Sequence, residues 1–396
     1  MHRVSVIQRE IPHYRIRFFE ELYVQGRLKD LDIHVYCGIP PTQSFSSAFP
    51  YHVLPVRYFG RAKSSPYWLH GLGMMIAGSD IVVAPQELQC LTVPYLWLRR
   101  KQICKTWIWW GHGYNSQAVA RPSIMTAMKE RMKEFVTRRG DGLLTYTGRG
   151  ADYWRARGVP DGWARPYYNT IDVEDLRRAH AEIGETQRMD LKRKLMLEGK
   201  CVLLFSGRFY AEKKVDFLLR AVALLKQSRP DVALLVIGDG EERDRLHKLV
   251  KELELQDVHF LGEVVSSKDT AAYFALADLL VIPGLIGLAI VHGFAFGVPI
   301  VTTAVEGHGP EIEYLSESNG VMTRVDIREY AKALEVVLSS PQKLEAMKRS
   351  AMAKGDELKL SHAVQRFVDG TRSISARVFD VSHGHQKQCG TPFLFF

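Results

Sequence analysis

The chain has 396 residues, 46% apolar and 24% charged, a balance that excludes disordered, collagen-like and coiled-coil chains and leaves room for two domain cores. Its net charge is +9, and residues 1–190 hold 26 basic against 18 acidic side chains while 191–396 hold 27 against 26, so the excess belongs to the N-terminal half. Five widely spaced cysteines without a C-x-x-C pair point to neither a disulfide framework nor a zinc site and suit a reduced, cytoplasmic protein.

In chain order, MHRVSVIQRE carries no apolar run of the kind a secretory leader needs. VSVIQR, LDIHVYC, DIVVAP, KTWIWWG and GLLTYT then read as strands, with helices near 14–25, 90–101, 121–138 and 149–158. The polar, charged stretch 170–195 lacks a strong apolar stripe and reads as a connection between domains. Beyond it CVLLFS, VALLVIG, VHFLG, LLVIP and VPIVTT alternate with helical segments at VDFLLRAVALLKQS, 241–253, 267–276 and GLAIVHGFAFG. Short buried strands alternating with helices predict βαβ units on a parallel sheet with right-handed crossovers.

The apolar stretch 279–305 is long enough to span a membrane. Pro283, Gly284, Gly287, Gly293, Gly297 and Pro299 interrupt it, which predicts strand, turn, helix and strand instead. The expected architecture is α/β, with Rossmann-like domains at 1–190 and 191–372 facing across a cleft. A tail at 373–396 is expected to pack back on the first domain. Open α/β sheets bind ligands outside the carboxyl ends of their strands.

Several residues carry chemistry at such ends. In SGRFYAEKKVDFLL, Arg208 and Lys213 follow a strand, where a planar guanidinium fork and a point-charge ammonium suit a diphosphate; a plain solvated loop has the same composition. Gly238, Asp239 and Gly240 close one strand and open a helix, which lets a nucleotide approach the backbone but also makes an ordinary turn. Gly287 precedes a helix whose first N–H groups suit an anionic oxygen. His292 lies on that helix, where a core histidine is the simpler reading. In the N-terminal half, Arg57, Arg61 and Lys63 lie among Tyr58, Phe59, Tyr67 and Trp68, and LTVPYLWLRRK and MKERMKEFVTRR repeat the mixture. Cations among aromatics suit an anionic membrane surface, or a solvated basic face over buried rings.

Taken together, these segments resemble the GT-B-fold glycosyltransferases, in particular the retaining family 4 (group 1) enzymes of bacterial polysaccharide and lipopolysaccharide biosynthesis. GRFYAEKKVDFLLRA is similar to their G-R-x3-E-K-G-x-D-x-L-x-x-A segment, which implies that Gly207, Arg208 and Lys213 meet the donor diphosphate. The resemblance further places Gly238, Asp239 and the amides of Gly287, Leu288 and Ala289 at the donor, with Glu311 of HGPEIEYLSESNGVM near its sugar. WIWWGHGYN resembles a strand ending in a histidine beside the donor sugar, which makes His112 a catalytic candidate with Arg208 and Lys213. IPHYR stands where the family has a glycine-rich loop and offers His13 and Arg15 on the acceptor side. Asn169, in a turn that resembles N-G-V-D with Thr170 in the glycine's place, joins them.

One departure matters: the family's Glu-x7-Glu pair is here Gly284 and His292. His292 still offers hydrogen bonds to a ribose through its ring nitrogens, whereas Gly284 replaces no carboxylate. The implied activity is metal-independent transfer of a sugar from a nucleotide-diphosphate sugar, UDP by default, to a glycan or lipid-linked acceptor. The acceptor is assigned to 1–190 and the donor to 191–372. No cofactor is implied, no D-x-D metal motif appears, and the protein is expected to be cytoplasmic and peripheral on the inner face of the membrane. The missing glutamates keep open a non-catalytic sugar-nucleotide-binding or partner protein on the same fold. A nucleic-acid binder rests on charge alone, and an epimerase on this fold would place more acidic groups at the sugar.

Overall fold

The near-continuous apolar runs become buried parallel strands, the pattern of sheets covered on both faces. The computed structural model describes residues 1–40, 48–61, 65–113 and 123–386, with side chains to 379. In the N-terminal half the strands are β1 His2–Glu10, β2 Leu31–Ile39, β3 Tyr51–Val53, β4 Val56–Tyr58, β5 Tyr67–Leu69, β6 Ser79–Pro85, β7 Cys104–Gly111, β8 Gly142–Thr145 and β9 Ala164–Pro166. They form a seven-stranded sheet in the order β3-β2-β1-β6-β7-β8-β9, with β4 and β5 apart as an antiparallel pair. All pairings in the large sheet are parallel.

The C-terminal half holds β10 Cys201–Ser206, β11 Val232–Ile237, β12 Val258–Gly262, β13 Leu279–Ile282, β14 Ile300–Thr303 and β15 Gly320–Thr323. Their order is β12-β11-β10-β13-β14-β15, again all parallel. This is the doubly wound order, which reverses between β10 and β13 and opens a crevice at their carboxyl ends. The register Leu203↔Leu279 and Leu204↔Leu280 joins the two central strands, and all four leucines are fully buried. As the punctuation of 279–305 predicts, that stretch is β13, a helix at Ala289–Ala295 and β14. No helix among the described residues is long and apolar enough to cross a membrane.

The chain divides into two compact units, one of the described residues from Met1 to Tyr168 and from Ser361 onward, the other of Asn169–Leu360. The first division thus falls at 168/169 rather than at 190/191, because the polar stretch 170–195 is not a free connection. It forms helices Val173–Ala181 and Glu185–Lys194, and the first buries Val173 and Leu176. Arg177 on that helix donates to the carbonyls of Ala295 (3.0 Å) and Met352 (2.8 Å) and pairs with Asp356. Thr170 donates to the Leu358 carbonyl at 2.6 Å, and the Leu360 amide donates to Glu174 at 2.9 Å. The two ends of this unit are therefore sewn together.

The second division lies at 360/361 rather than 372/373, since one unbroken helix, Leu360–Gln386, runs through the expected boundary. Within the first unit its Phe367 sits at ring-centroid distances of 5.0 Å from Trp110, 5.5 Å from Tyr167 and 5.6 Å from Phe18. The final TPFLFF lies outside the described residues. Phe367 is buried, so Phe367→Ala should lower stability by about 3–5 kcal/mol. Urea unfolding followed by tryptophan fluorescence checks this; a loss under about 1 kcal/mol would mean that the aromatic cluster relaxes around the gap.

Candidate functional site

At the reversal between β10 and β13 a two-residue strap follows β13. The Leu285 amide donates to the Glu212 carbonyl at 2.9 Å, and the Leu285 carbonyl accepts from Lys213 Nζ at 2.6 Å. The next residue is tied on the opposite side. The Ile286 amide donates to His308 Nδ1 at 3.1 Å, and its carbonyl accepts from the Gly309 amide at 2.9 Å. With both residues pinned, the chain reaches Gly287, Leu288 and Ala289, whose amides have no backbone acceptor among the described residues. Their N–H groups are the orphans that open the Ala289–Ala295 helix.

Lys213 ends the short 3₁₀ turn Ala211–Lys213 and is buried. Burial disfavours its charge and pushes its pKa down to about 8. Its neighbour Gly284 explains a departure seen in the sequence. A Cβ there would lie 2.1 Å from the Glu212 carbonyl oxygen and 2.4 Å from the Lys213 carbonyl carbon. The backbone of the Lys213 turn occupies the space a side chain would need, so position 284 admits no carboxylate.

Arg208 is exposed, its carbonyl accepts from the Tyr210 amide at 3.2 Å, and its guanidinium makes no hydrogen bond or ion pair among the described residues. The adjoining glycines let two loops touch. Gly238 has φ +135°, and a Cβ on it would fall 1.9 Å from the Gly207 carbonyl oxygen. Phe209 donates its amide to the Asp239 carbonyl at 2.9 Å, while the exposed Asp239 carboxylate accepts from the Gly240 amide and pairs with Arg243 at 3.0 Å. Asp239 is thus engaged in shaping its own turn.

His292 is half-buried, and its ring stacks on Phe274 at 6.1 Å. Glu311, in the 3₁₀ turn Pro310–Tyr314, is 4% exposed and accepts from Asn169 Nδ2 at 2.6 Å. Tyr314 donates its hydroxyl to the Asn169 carbonyl at 3.0 Å. Asn169, expected on the acceptor side, therefore belongs to the C-terminal unit and holds Glu311; the correction follows from the earlier division of the chain.

The N-terminal unit builds a second polar group at the carboxyl ends of β1 and β7. His13 opens the helix His13–Arg27 and is exposed, whereas Arg15 is buried. Arg15 donates to the Tyr146 hydroxyl at 2.7 Å and lies 4.9 Å from the Trp110 ring and 5.3 Å from the Tyr146 ring, so π faces and a phenol hold its charge. His112 is exposed, and its ring stacks on Tyr146 at 4.2 Å. Desolvation by the surrounding protein, then the Lys133 and Arg15 cations, push its pKa down to about 4, which keeps it neutral at neutral pH. Lys133 is itself buried, donates to the Gly113 carbonyl at 2.9 Å, and is held below its usual range by desolvation.

Sequence reasoning missed His308, Lys133 and Tyr146. Lys133 reads as one more surface cation in MKERMKEFVTRR, and His308 as a lone histidine between glycines. The basic–aromatic surface also needs correction: Tyr67 and Trp97 are core residues. Lys63 lies outside the described residues.

Residues 187–354 match the model of the glycosyl transferases group 1 family. The lipopolysaccharide core biosynthesis glycosyltransferase LpsE of Rhizobium meliloti is 35% identical over 143 residues, covering 35% of this chain and 39% of that protein. The first curated relatives are matched over only 27–41% of their own length. The structure of Anabaena Alr3699/HepE in complex with UDP is similar at a TM-score of 0.72 and 17% identity, over 94% of this chain and 100% of that one. WaaG, a glycosyltransferase involved in lipopolysaccharide biosynthesis, gives 0.65 and 17% over 92% and 98%. The chain thus has the two-domain α/β GT-B fold, and its segment 187–354 is similar to the glycosyl transferases group 1 family.

Proposed function

We propose that the chain transfers a sugar, with retention of configuration, from a nucleoside diphosphate sugar to a hydroxyl of a lipid-linked or growing glycan. The observation that carries this reading is the buried Lys213 ammonium at the β10/β13 reversal, bonded to the Leu285 carbonyl two residues before Gly287–Ala289, whose amides have no backbone acceptor among the described residues. As the glycosidic bond breaks, negative charge builds on the leaving diphosphate, and preorganised donors in a poorly solvated site stabilise that charge most. Arg208, exposed and uncommitted, adds a planar fork for a second phosphate. These groups, rather than a metal, are assigned the charge. UDP is the default nucleotide, a choice supported by the UDP held in Alr3699/HepE.

With position 284 closed to a carboxylate, the acceptor proton passes to a phosphate oxygen of the donor itself. The neutral His112 serves as a hydrogen-bonding group for the sugar. Glu311, fixed by Asn169, is the carboxylate assigned to the donor.

For a lipid-linked acceptor the protein would sit on the cytoplasmic face of a membrane, and one surface of the N-terminal unit supports that. On the Ile124–Thr137 helix, Ile124 is 88% exposed, Met128 69%, Met132 58% and Phe135 51%, a single outward stripe at helical spacing. Leu91, Tyr95 and Leu98 are exposed beside the neighbouring Thr92–Leu98 helix, which the first touches through Trp97 and Phe135. Arg99, Lys101, Lys129, Arg131, Arg138 and Arg139 are exposed around them. An apolar stripe flanked by cations suits an anionic leaflet.

Turnover of radiolabelled UDP-sugars with a bacterial lipid extract tests the reaction. Lys213→Ala should lower transfer by about 100-fold or more with the fold retained by circular dichroism, and unchanged turnover would remove the diphosphate clamp. Nucleotide binding without transfer by the parent protein would favour the non-catalytic reading. Because Lys213 carries its proton only below about 8, UDP affinity should fall as pH rises through that value. Lys213→Arg should keep alkaline binding level, since arginine does not titrate there. Co-sedimentation with phosphatidylglycerol vesicles should drop at least about fivefold in a Met128→Glu/Met132→Glu double variant, and equal binding to neutral vesicles would argue against the membrane surface.

A further inference from the structure

Both ring nitrogens of His308 are committed, in opposite senses. Nδ1 faces the Ile286 N–H at 3.1 Å and acts as the acceptor. Nε2 faces the Thr303 carbonyl oxygen at 2.8 Å, which only accepts, so Nε2 carries the proton. One neutral tautomer alone satisfies both partners. The residue is buried, and Thr303 belongs to β14, so the imidazole ties the strap to the sheet. The Gly309 amide completes the grip on Ile286.

We infer that His308 is the positioning residue of the donor loop: as the neutral Nε2–H tautomer it holds Ile286, next to the Leu285 carbonyl that Lys213 holds, and so fixes where the chain enters Gly287–Ala289. This rests on the donor reading above for its consequence, though not for its geometry. A second proton on the ring would have to sit on Nδ1, where it meets the Ile286 N–H head-on and breaks the anchor. The charged group that acts on the ring is Lys213, from the Ala211–Lys213 turn, and it opposes that proton; Glu311, on His308's own segment, is held by Asn169. Burial, with Lys213, keeps the imidazole below its ordinary range. The anchor is therefore complete at neutral pH, above the ordinary imidazole pKa, and is lost as pH falls through the lowered value.

Two measurements on the full chain separate this from the donor reading. Hydrogen exchange of the free protein reads the anchor directly: the Ile286 amide, bonded to His308 Nδ1, should exchange at least about tenfold faster in His308→Ala, and faster in the parent as pH is lowered once the intrinsic pH dependence of exchange is removed. Calorimetric titration with UDP, GDP, ADP and dTDP reads its consequence, with affinity for the preferred nucleotide expected to drop roughly tenfold in His308→Ala. His308→Asn places an acceptor near Nδ1 without a titrating ring, so it should retain most of that affinity and flatten the acid limb of the pH profile. Parent-like protection and affinity in His308→Ala would overturn the inference. If the alanine variant does not fold, the asparagine variant decides, and an acid limb unchanged from the parent overturns it. A parent that binds none of the four nucleotides overturns the donor reading, while exchange at Ile286 still decides whether His308 anchors the strap.

Discussion

The organisation of the candidate donor site depends on one constraint: two consecutive residues whose backbone groups are fully taken. Leu285 is bonded by the Lys213 turn on one side, and Ile286 by His308 and Gly309 on the other. A loop after a central strand ordinarily has freedom that must be lost when a ligand binds, at roughly 1–2 kcal/mol per residue fixed. Here folding has already removed it, and the four hydrogen bonds that do so also set where the helix beginning at Ala289 points its first amides. Preorganisation of this kind is what makes fixed dipoles effective against developing charge.

The same crowding explains the chemistry the site lacks. For Lys213 to reach the Leu285 carbonyl, the Glu212–Lys213 backbone has to pass directly over Gly284. A side chain at 284 and a strap closed by the lysine are mutually exclusive. The chain has the closed strap, and with it a site whose fixed groups are cations and amides. Its remaining buried carboxylate there, Glu311, is restrained by Asn169, which is in turn held through its carbonyl by Tyr314. A carboxylate with its amide partner in place is better suited to hold a hydroxyl than to shuttle a proton, which is why the acceptor proton is assigned to the donor phosphate.

Much of the fold was legible because burial on both faces leaves a strong mark: CVLLFS, VALLVIG and LLVIP read directly as central strands. The three-residue strands Tyr51–Val53 and Ala164–Pro166 carry too little pattern to stand out. The divisions of the chain were less legible than its strands. A polar helix looks like a linker, yet Val173, Leu176 and the Arg177 bonds dock it. Likewise no local pattern at Leu360 announces that the C-terminal unit ends there and that the long helix from Leu360 belongs to the first unit from Ser361 onward. At the site, Lys213 was legible from its place after the first strand of a βαβ unit. His308 was not, because its importance lies in which two backbone groups it meets, and both come from other segments.

The uneven charge of the chain takes on a sharper meaning from burial. Two cations of the N-terminal half are not surface charge at all: Arg15 and Lys133 are buried, and after desolvation by the surrounding protein their charges further lower the pKa of His112. Among the exposed ones, Arg99, Lys101, Lys129, Arg131, Arg138 and Arg139 lie on or next to the two helices that carry the exposed apolar side chains. One excess of positive charge thus divides into two physical roles. The buried part adds to the desolvation that lowers the pKa of a single imidazole, acting at short range. The exposed part acts through a screened field that reaches only about 8–10 Å into physiological salt, and it becomes strong only where an apolar stripe brings the protein within that distance of an anionic surface. In the nearly neutral C-terminal half the cation proposed for the donor is Lys213, and its setting is the backbone packed around it rather than any general field.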